Sequence, residues 1–434
     1  MNNIYKFDLK HHLLPKLDGK ISKTPYYIVY MKRTNFQGVD AFLLILGVFE
    51  LLVIAKVSDL PIGIINWFPK AHEISKLAIP SSNFYPAGSA LMLTPFLFLE
   101  SKPLLIIVFY FSLANFFFIK NTKVIKSKKL RLIGAVSFLF NPYLPWLVYS
   151  SQDTVFEYFL LMLTVWFLIN KKFNYFIISG FLLNLCRPAY WIMYLLISLI
   201  YQIYFVRKKE YRYIYAIPFL ILAVNSVYNY SQYNSFRLAD ESGITSYFSY
   251  NKYLYLSLPL FDMDVFLSKG GHMSNPYGFG ESPDDYVSAT KRSISENPKE
   301  ILLSGMQKID SYIFTSQKIP KLPGEYFLSK DAKSIIIGNE RLSWSLVIGN
   351  MAYQFYRGIL FITFLISIGR LTNIRFKKTE LNTKYQLLFL ILPWICGFIS
   401  CSLFYTETRF KIVSELLIPI FNLKAFESSR FEKI

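Results

Sequence analysis

Long apolar segments alternate with short polar segments along most of this chain. Stretches that carry no charge, such as Leu132–Ser150, are typical of helices that cross a lipid bilayer. The pattern predicts ten transmembrane helices, several of them shorter than the roughly 20 residues that usually cross a bilayer. Their predicted ranges are 39–57, 103–119, 130–148, 155–169, 173–185, 188–206, 213–230, 344–368, 385–404 and 410–423. The predicted fold class is therefore an all-α polytopic membrane protein.

The distribution of lysine and arginine predicts the orientation of these helices. With segment 1–38 inside, the inner segments contain 27 lysines and arginines, and the short outer loops contain six. This asymmetry agrees with the positive-inside rule. It requires that the apolar stretch Asn83–Glu100 does not cross, and its prolines, Pro86 and Pro95, suit a bent helix at the outer surface. We expect an integral protein of a bacterial cytoplasmic membrane, with the N-terminus inside.

The predicted helices form two membrane modules that are separated by one long polar loop. The N-terminal module covers 39–230 and includes a first outer loop at 58–102. The C-terminal helices cover 344–423, and a cytoplasmic tail follows at 424–434. Between the modules, residues 231–343 form an extracytoplasmic loop, with 12 basic and 13 acidic residues.

This extracytoplasmic loop contains two predicted amphipathic helices. Apolar residues recur near helical spacing from Asp284 to Phe314, and the dipeptide Asn297–Pro298 predicts a break between two helices. Because one face of each helix is apolar, we expect both to lie close to the membrane.

The composition excludes several classes of function. The formal charge of +19 follows from membrane topology, and no basic stretch resembles a nucleic-acid recognition element. The three cysteines fall in or beside apolar segments, so no disulfide framework is predicted. The four histidines lack metal-ligand spacing, so neither a metal nor a cofactor is expected. The first apolar segment is too long for a cleavable signal peptide and predicts a signal anchor.

Charged residues collect at the predicted outer ends of the apolar segments, where a charge is costly to bury in lipid. Each has an ordinary explanation: Asp59 as a helix stop, Asp153 as an N-cap, Arg187 as a turn residue before proline. Arg357, in the middle of a predicted span, could extend toward the interface. Taken together, they predict a site for an anionic substrate with a proton acceptor. The charged candidates are Asp59, Glu73, Asp153, Arg187, Arg357, Glu407 and Arg409.

Six short motifs follow one another in order along the chain. They are "VSDLP", "FYPAGSALMLTPF", "NPYLPWLVYSSQDTVFEYFLL", "GFLLNLCRPAYWIMYLL", "ATKRSISENPKEIL" and "YTETRFKIVSELLIPIF". Their order resembles that of the GT-C glycosyltransferases that use lipid-phosphate sugars, such as protein mannosyltransferases and bacterial aminoarabinose transferases. The resemblance extends over most of the chain. One departure is that many relatives carry two acids at the end of the first span, whereas Leu60 follows Asp59 here.

The resemblance implies sugar transfer from a polyprenyl-phosphate donor to a hydroxyl of a glycan, lipid or protein on the outer face. It implies Asp59 as the general base, with Asp153 supporting that base or orienting the acceptor. One base opposite the leaving group implies inversion of the anomeric centre. Arg409, held by Glu407, is expected to bind the donor phosphate. The remaining expected substrate-binding residues are Glu73, Tyr85, Arg187 and Arg357, the last with a structural ion pair as its alternative.

Two other functions remain open from the sequence. A lipid-linked polysaccharide polymerase or ligase would depend on arginines of the long outer loop, which contains Arg237, Arg292 and Arg341. A transporter or flippase would favour inverted repeats and charge pairs at the membrane midplane.

Overall fold

Apolar segments form helices throughout the part of the chain that the structure describes. This computed structural model describes residues 38–57, 62–76, 88–141, 144–151, 153–187, 190–207, 283–313, 340–373, 381–403 and 413–430, with Val227, Tyr230 and Tyr250. All regular secondary structure within those ranges is helical. The α-helices are α1 (Gly38–Val57), α2 (Phe68–Ser75), α3 (Gly88–Leu93), α4 (Pro103–Asn121), α5 (Lys128–Val136), α6 (Leu144–Ser150), α7 (Thr154–Ile169), α8 (Phe173–Cys186), α9 (Trp191–Arg207), α10 (Pro283–Glu296), α11 (Pro298–Ile313), α12 (Glu340–Asn373), α13 (Leu381–Leu403) and α14 (Ile418–Arg430).

Three of these helical segments are long and apolar enough to cross a bilayer: Gly38–Lys56, Pro103–Val124 and Thr383–Ser400. A fourth results if Lys128–Phe140 and Leu144–Ser150, which meet at an angle of 48°, count as one broken span. Such helices indicate a membrane protein. The full set of ten spans stays a prediction, and most of the predicted span 213–230 lies outside the described residues.

The predicted span at 130–148 is not one continuous helix. α5 ends at Val136, a short 3-10 helix follows, and α6 begins only at Leu144. The break falls at Asn141, whose backbone is extended, with φ −91° and ψ 98°. Asn141 precedes Pro142 in the sequence, and the proline ring disfavours helical geometry in the residue before it.

The predicted surface segment Asn83–Glu100 is short and bent in its described part. α3 passes into a 3-10 helix at Thr94–Leu99, where Phe96 has non-helical angles directly after Pro95. The two pieces together are shorter than a bilayer crossing. The predicted bend is confirmed, and the location at the membrane surface stays a prediction.

The first long helices of the chain, α1 and α4, run in opposite directions. Gly47 of α1 lies against Asn115 of α4, and the carboxylate of Asp40 acts electrostatically on Lys120. The end of α1 and the start of α4 therefore lie at the same end of the bundle. This arrangement agrees with an intervening segment, 58–102, that does not cross the membrane.

α7 runs parallel to α4, and α8 returns beside it. The rings of Tyr110 and Phe156 lie 5.1 Å apart toward the beginning of α4 and α7. At the end of α4, the side-chain amide of Asn121 donates to the carbonyl of Met162, in the middle of α7, at 3.0 Å. The turn into α8 passes through Lys171, whose φ of 57° is left-handed. We call the end of the bundle where α7 begins and α8 ends the Asp153 end, and the opposite end the Lys123 end.

The two predicted amphipathic helices are present as α10 and α11. The chain breaks between them at Asn297, as predicted, and Pro298 occupies the first position of α11, where its missing N–H is not needed. α11 packs on α13: the rings of Tyr312 and Phe398 lie 5.5 Å apart. α14 packs on both α12 and α13 and also reaches α5. It begins at Ile418, inside the predicted span at 410–423, after a separate helical turn at 413–415, and Pro419 lies in its first turn, where the missing N–H is not needed.

Candidate functional site

A largely buried ion pair joins the beginning of α7 to the end of α8. The guanidinium of Arg187 faces Asp153 with both terminal nitrogens, Nη1 to Oδ2 at 3.0 Å and Nη2 to Oδ1 at 3.3 Å. This two-point geometry matches the planar fork of arginine to a carboxylate. The side chains are 12% and 14% exposed. Asp153 and Arg187, two predicted site residues that lie 34 positions apart, are therefore direct partners.

The same arginine also binds a second carboxylate, that of Glu157. Its Nε lies 3.1 Å from Oε2 of Glu157, whose side chain is only 1% exposed. The Tyr190 hydroxyl donates to the other oxygen, Oε1, at 2.8 Å. A buried carboxylate is costly unless it is paired and hydrogen-bonded, and these contacts supply both. We call Asp153, Glu157, Arg187 and Tyr190 the Arg187 cluster.

Asp153 does occupy the N-cap position of α7, but its carboxylate does not cap the helix. Its backbone carbonyl accepts the first helical hydrogen bonds, from the N–H groups of Phe156 and Glu157. The carboxylate turns instead to Arg187 and to the hydroxyl of Ser151, which lies 3.3 Å away. The N-cap interpretation is thus correct for the position and insufficient for the side chain.

Backbone contacts bring two earlier segments of the chain to the Asp153 end. A Cβ on Gly63 would lie 2.4 Å from the backbone oxygen of Ser150, and one on Gly88 would lie 2.3 Å from the backbone carbon of Leu185. At both places only glycine allows so close an approach. Gly63 follows Asp59 by four residues, and Gly88 follows Tyr85 by three.

Glu73 lies half-buried on α2, in the layer that packs on α3. Its carboxylate acts electrostatically on Lys70, one turn earlier. Burial lowers the pKa of Lys70 to about 8, and Glu73 opposes that shift. α2 also contacts the end of the 3-10 helix at Thr94–Leu99: Nε2 of His72, in α2, lies 2.7 Å from the carboxylate of Glu100.

Arg357 forms a second buried ion pair among the C-terminal helices. Its Nη2 and Nε lie 2.8 and 3.1 Å from Oε1 of Glu415, and it also donates to the backbone carbonyl of Tyr312. The two charged side chains are 7% and 4% exposed. A cleft of about 30 Å³, enough for about two water molecules, adjoins the pair and is lined partly by Phe364 and Trp394. We call Arg357, Glu415 and Tyr312 the Arg357 cluster.

The remaining predicted site residues, Asp59, Tyr85, Glu407 and Arg409, lie outside the described residues. Among the described residues, Glu157 and Glu415 are site members that the sequence did not indicate, because each lies in an apolar stretch. For Glu157 a signal exists, because it follows Asp153 by four positions and so shares its helix face.

The Arg187 cluster combines two carboxylates with one guanidinium. Such a set favours hydrogen-bond donors, such as hydroxyl groups, over anions, because the donors of Arg187 already face carboxylates. Within the described ranges, no group of three or more histidines, cysteines or carboxylates is placed to hold a metal ion. No protein-family model, curated protein or solved structure matches the chain.

Proposed function

We propose that this protein is an integral membrane glycosyltransferase that moves a sugar from a polyprenyl phosphate to an acceptor hydroxyl. The observation that supports this most is the meeting of helix ends at the Asp153 end. There, the largely buried Arg187 cluster lies beside the backbone of Gly63 and Gly88, and these glycines follow the segments that carry Asp59 and Tyr85. A hydroxyl acceptor needs a carboxylate base and polar groups to orient it.

The proposed reaction has one chemical step. Asp59 takes the proton of the acceptor hydroxyl, and the oxygen attacks the anomeric carbon from the face opposite the phosphate. The bond from that carbon to the phosphate oxygen breaks, and polyprenyl phosphate leaves as a stable anion. The product carries the inverted anomeric configuration. Asp153 and Glu157, fixed by Arg187, would shape the acceptor side of the site.

The phosphate requires positive donors outside the Arg187 cluster. Both carboxylates of that cluster compete for its guanidinium, which argues against Arg187 as a direct phosphate ligand. Arg409, with Glu407 to orient it, remains the proposed ligand. Arg409→Lys keeps the charge but loses the planar fork, so donor use should fall markedly while expression is retained. Full donor use by Arg409→Ala would place the phosphate elsewhere.

The decisive experiment measures release of polyprenyl phosphate from a labelled lipid-linked sugar by the purified full-length protein. Asp59→Asn keeps the shape of the side chain and removes its basicity, so the rate should fall by roughly 10²–10⁴-fold. Asp40→Asn, the same change near the other end of α1, is the matched control and should retain the parent rate. Near-normal turnover by folded Asp59→Asn would reject this role.

One observation favours the transporter alternative, namely the buried pair of Arg357 and Glu415. Charge pairs inside a helical bundle are common along transport pathways. Proteoliposomes that contain the protein distinguish the two functions, because a flippase moves a labelled lipid-linked sugar between leaflets and leaves its phosphate–sugar bond intact. We favour the transferase because the Arg357 pair is matched in charge, as a structural pair would be.

A further inference from the structure

At the Lys123 end of the bundle, one short segment of the chain carries a group of exposed lysines. Between the end of α4 and the first turn of α5, the side chains of Lys123, Lys126, Lys128 and Lys129 are all exposed. We call these four residues the lysine loop. They fall within seven consecutive residues, so the local charge density is high.

A buried carboxylate from the other end of the chain fixes the backbone of the lysine loop. Oε1 of Glu427 accepts the Ser127 N–H at 2.6 Å, and Oε2 lies 3.0 Å from Nζ of Lys424. Burial would raise the pKa of Glu427, but the N–H groups of Ser127 and Lys126 and the ammonium of Lys424 hold it below its usual range. Glu427 is therefore an anion, and each of its two oxygens has a partner within the protein, the Ser127 N–H or the Lys424 ammonium.

α5, whose first two residues belong to the lysine loop, has an apolar exposed surface in its next turn. Gly134 and Ala135 are buried, and a Cβ on Gly134 would lie 3.3 Å from Leu423 of α14. Leu132 and Ile133 point away from that contact and are 47% and 57% exposed. Lysines followed directly by exposed leucine and isoleucine match the boundary between lipid head groups and acyl chains.

We propose that the lysine loop binds the head groups of anionic phospholipids, with Leu132 and Ile133 in contact with their acyl chains. Charge complementarity selects the lipid class, because four exposed ammonium groups face outward while the nearby Glu427 is bonded inward. A lysine near an anionic membrane surface contributes about 1 kcal/mol, a factor of roughly five in binding. This inference is independent of the proposed sugar transfer, since it concerns the opposite end of the bundle.

The test measures which lipids the full-length protein retains. The protein is purified from micelles that contain equal amounts of phosphatidylcholine and phosphatidylglycerol, and the retained lipids are counted by mass spectrometry. The variant K123Q/K126Q/K128Q/K129Q removes the lysine loop's charge. The control K76Q/K102Q/K291Q/K299Q removes the same charge from four other exposed lysines.

The parent and the control should both retain an excess of phosphatidylglycerol, and the lysine-loop variant should lose at least about fivefold of that excess. An equal loss in both variants, or no excess in the parent, overturns the proposal. So does displacement of the lipid by inorganic phosphate but not by chloride at equal ionic strength, because the lysine loop would then be a site for soluble anions. Intrinsic fluorescence should give the same unfolding midpoint for all three proteins in phosphatidylcholine alone.

Discussion

Arg357 is buried and Arg187 is largely buried, and both are ion-paired, yet their surroundings differ in the balance of acids and bases. Arg357 meets one carboxylate, Glu415, and a backbone carbonyl, so the pair is neutral and its charge is satisfied. Arg187 meets two carboxylates, so its cluster carries one more acid than base. The comparison teaches that burial and pairing alone do not mark a functional site. An excess of acidic groups over basic groups in a largely buried cluster is the more informative feature.

Removing either arginine should have the largest effect on stability. Arg187→Met and Arg357→Met each leave buried carboxylates without their partner, which costs about 3–5 kcal/mol. The loss should be greater for Arg187→Met, because two acids are left facing each other. Apparent unfolding midpoints in detergent, followed by tryptophan fluorescence, measure both.

A double substitution sharpens this comparison. Arg357→Met/Glu415→Met replaces a neutral pair by apolar side chains, and such replacements are often neutral or stabilising, so most of the stability should return. Arg187→Met/Glu157→Met still leaves Asp153 buried without its guanidinium and should recover less. If the two double variants regain the same stability, the difference in charge balance between the clusters does not affect stability.

The same change from glutamate to glutamine should separate the two clusters. Glu415→Gln leaves Arg357 with an uncompensated buried charge and should cost about 3 kcal/mol. Glu157→Gln leaves the pair of Arg187 with Asp153 in place and removes the excess charge, so stability should change by less than about 1 kcal/mol. Each variant is the control for the other in thermal unfolding. A larger loss of stability for Glu157→Gln than for Glu415→Gln would contradict the assignment of the excess acid to the Arg187 cluster.

Glycine-to-alanine substitutions test how easily the atoms packed around each cluster can move to accommodate a Cβ. Gly63→Ala would force a Cβ against the backbone of Ser150 and Ser151, which cannot rotate away, at a cost of about 1–3 kcal/mol. Near the Arg357 cluster, Gly397→Ala would meet only the side chains of Tyr312 and Ser414, at 2.8 and 2.9 Å. These can adjust, so the unfolding midpoint of Gly397→Ala should fall less than that of Gly63→Ala.

Tyr190→Phe removes a single hydrogen bond of the Arg187 cluster, the one to Glu157. Loss of a donor to a charged acceptor costs about 1.5–3 kcal/mol at most, and here Arg187 still binds the same carboxylate, so about 1.5 kcal/mol is expected. Tyr194→Phe is the matched control, because its hydroxyl donates to the neutral backbone carbonyl of Ile177 and should cost about 1 kcal/mol. A larger loss in the control would mean that the Glu157 bond contributes little.

The sequence predicts the helices well and their partners poorly. Apolar segments predicted helices at 39–57, 155–169 and 173–185, and the structure has α1, α7 and α8 within one residue of those bounds. The bilayer-length hydrophobic pattern depends only on neighbouring residues, so it can be recognised locally. The break at Asn141 was missed because hydropathy averages over the proline that causes it.

Pairing between distant residues is the part that could not be predicted. Arg187 and Asp153 were selected as separate charges at helix ends, and nothing local specifies that α8 returns beside α7 with those two residues in register. Glu157 and Glu415 went unselected because each lies among apolar neighbours, where hydropathy hides a single carboxylate. A buried charge in an apolar stretch implies a partner, but only the packing of helices identifies it.

The contacts of Gly63 and Gly88 have a consequence for how this protein can change over evolutionary time. Both glycines meet backbone atoms at the ends of α6 and α8, and a contact between main chains does not depend on the side chains around it. Substitutions and length changes in the segments before the two glycines can therefore accumulate while the glycines keep their places. Such an arrangement leaves the segments before the two glycines free to change, while the helix ends that the glycines contact keep their places.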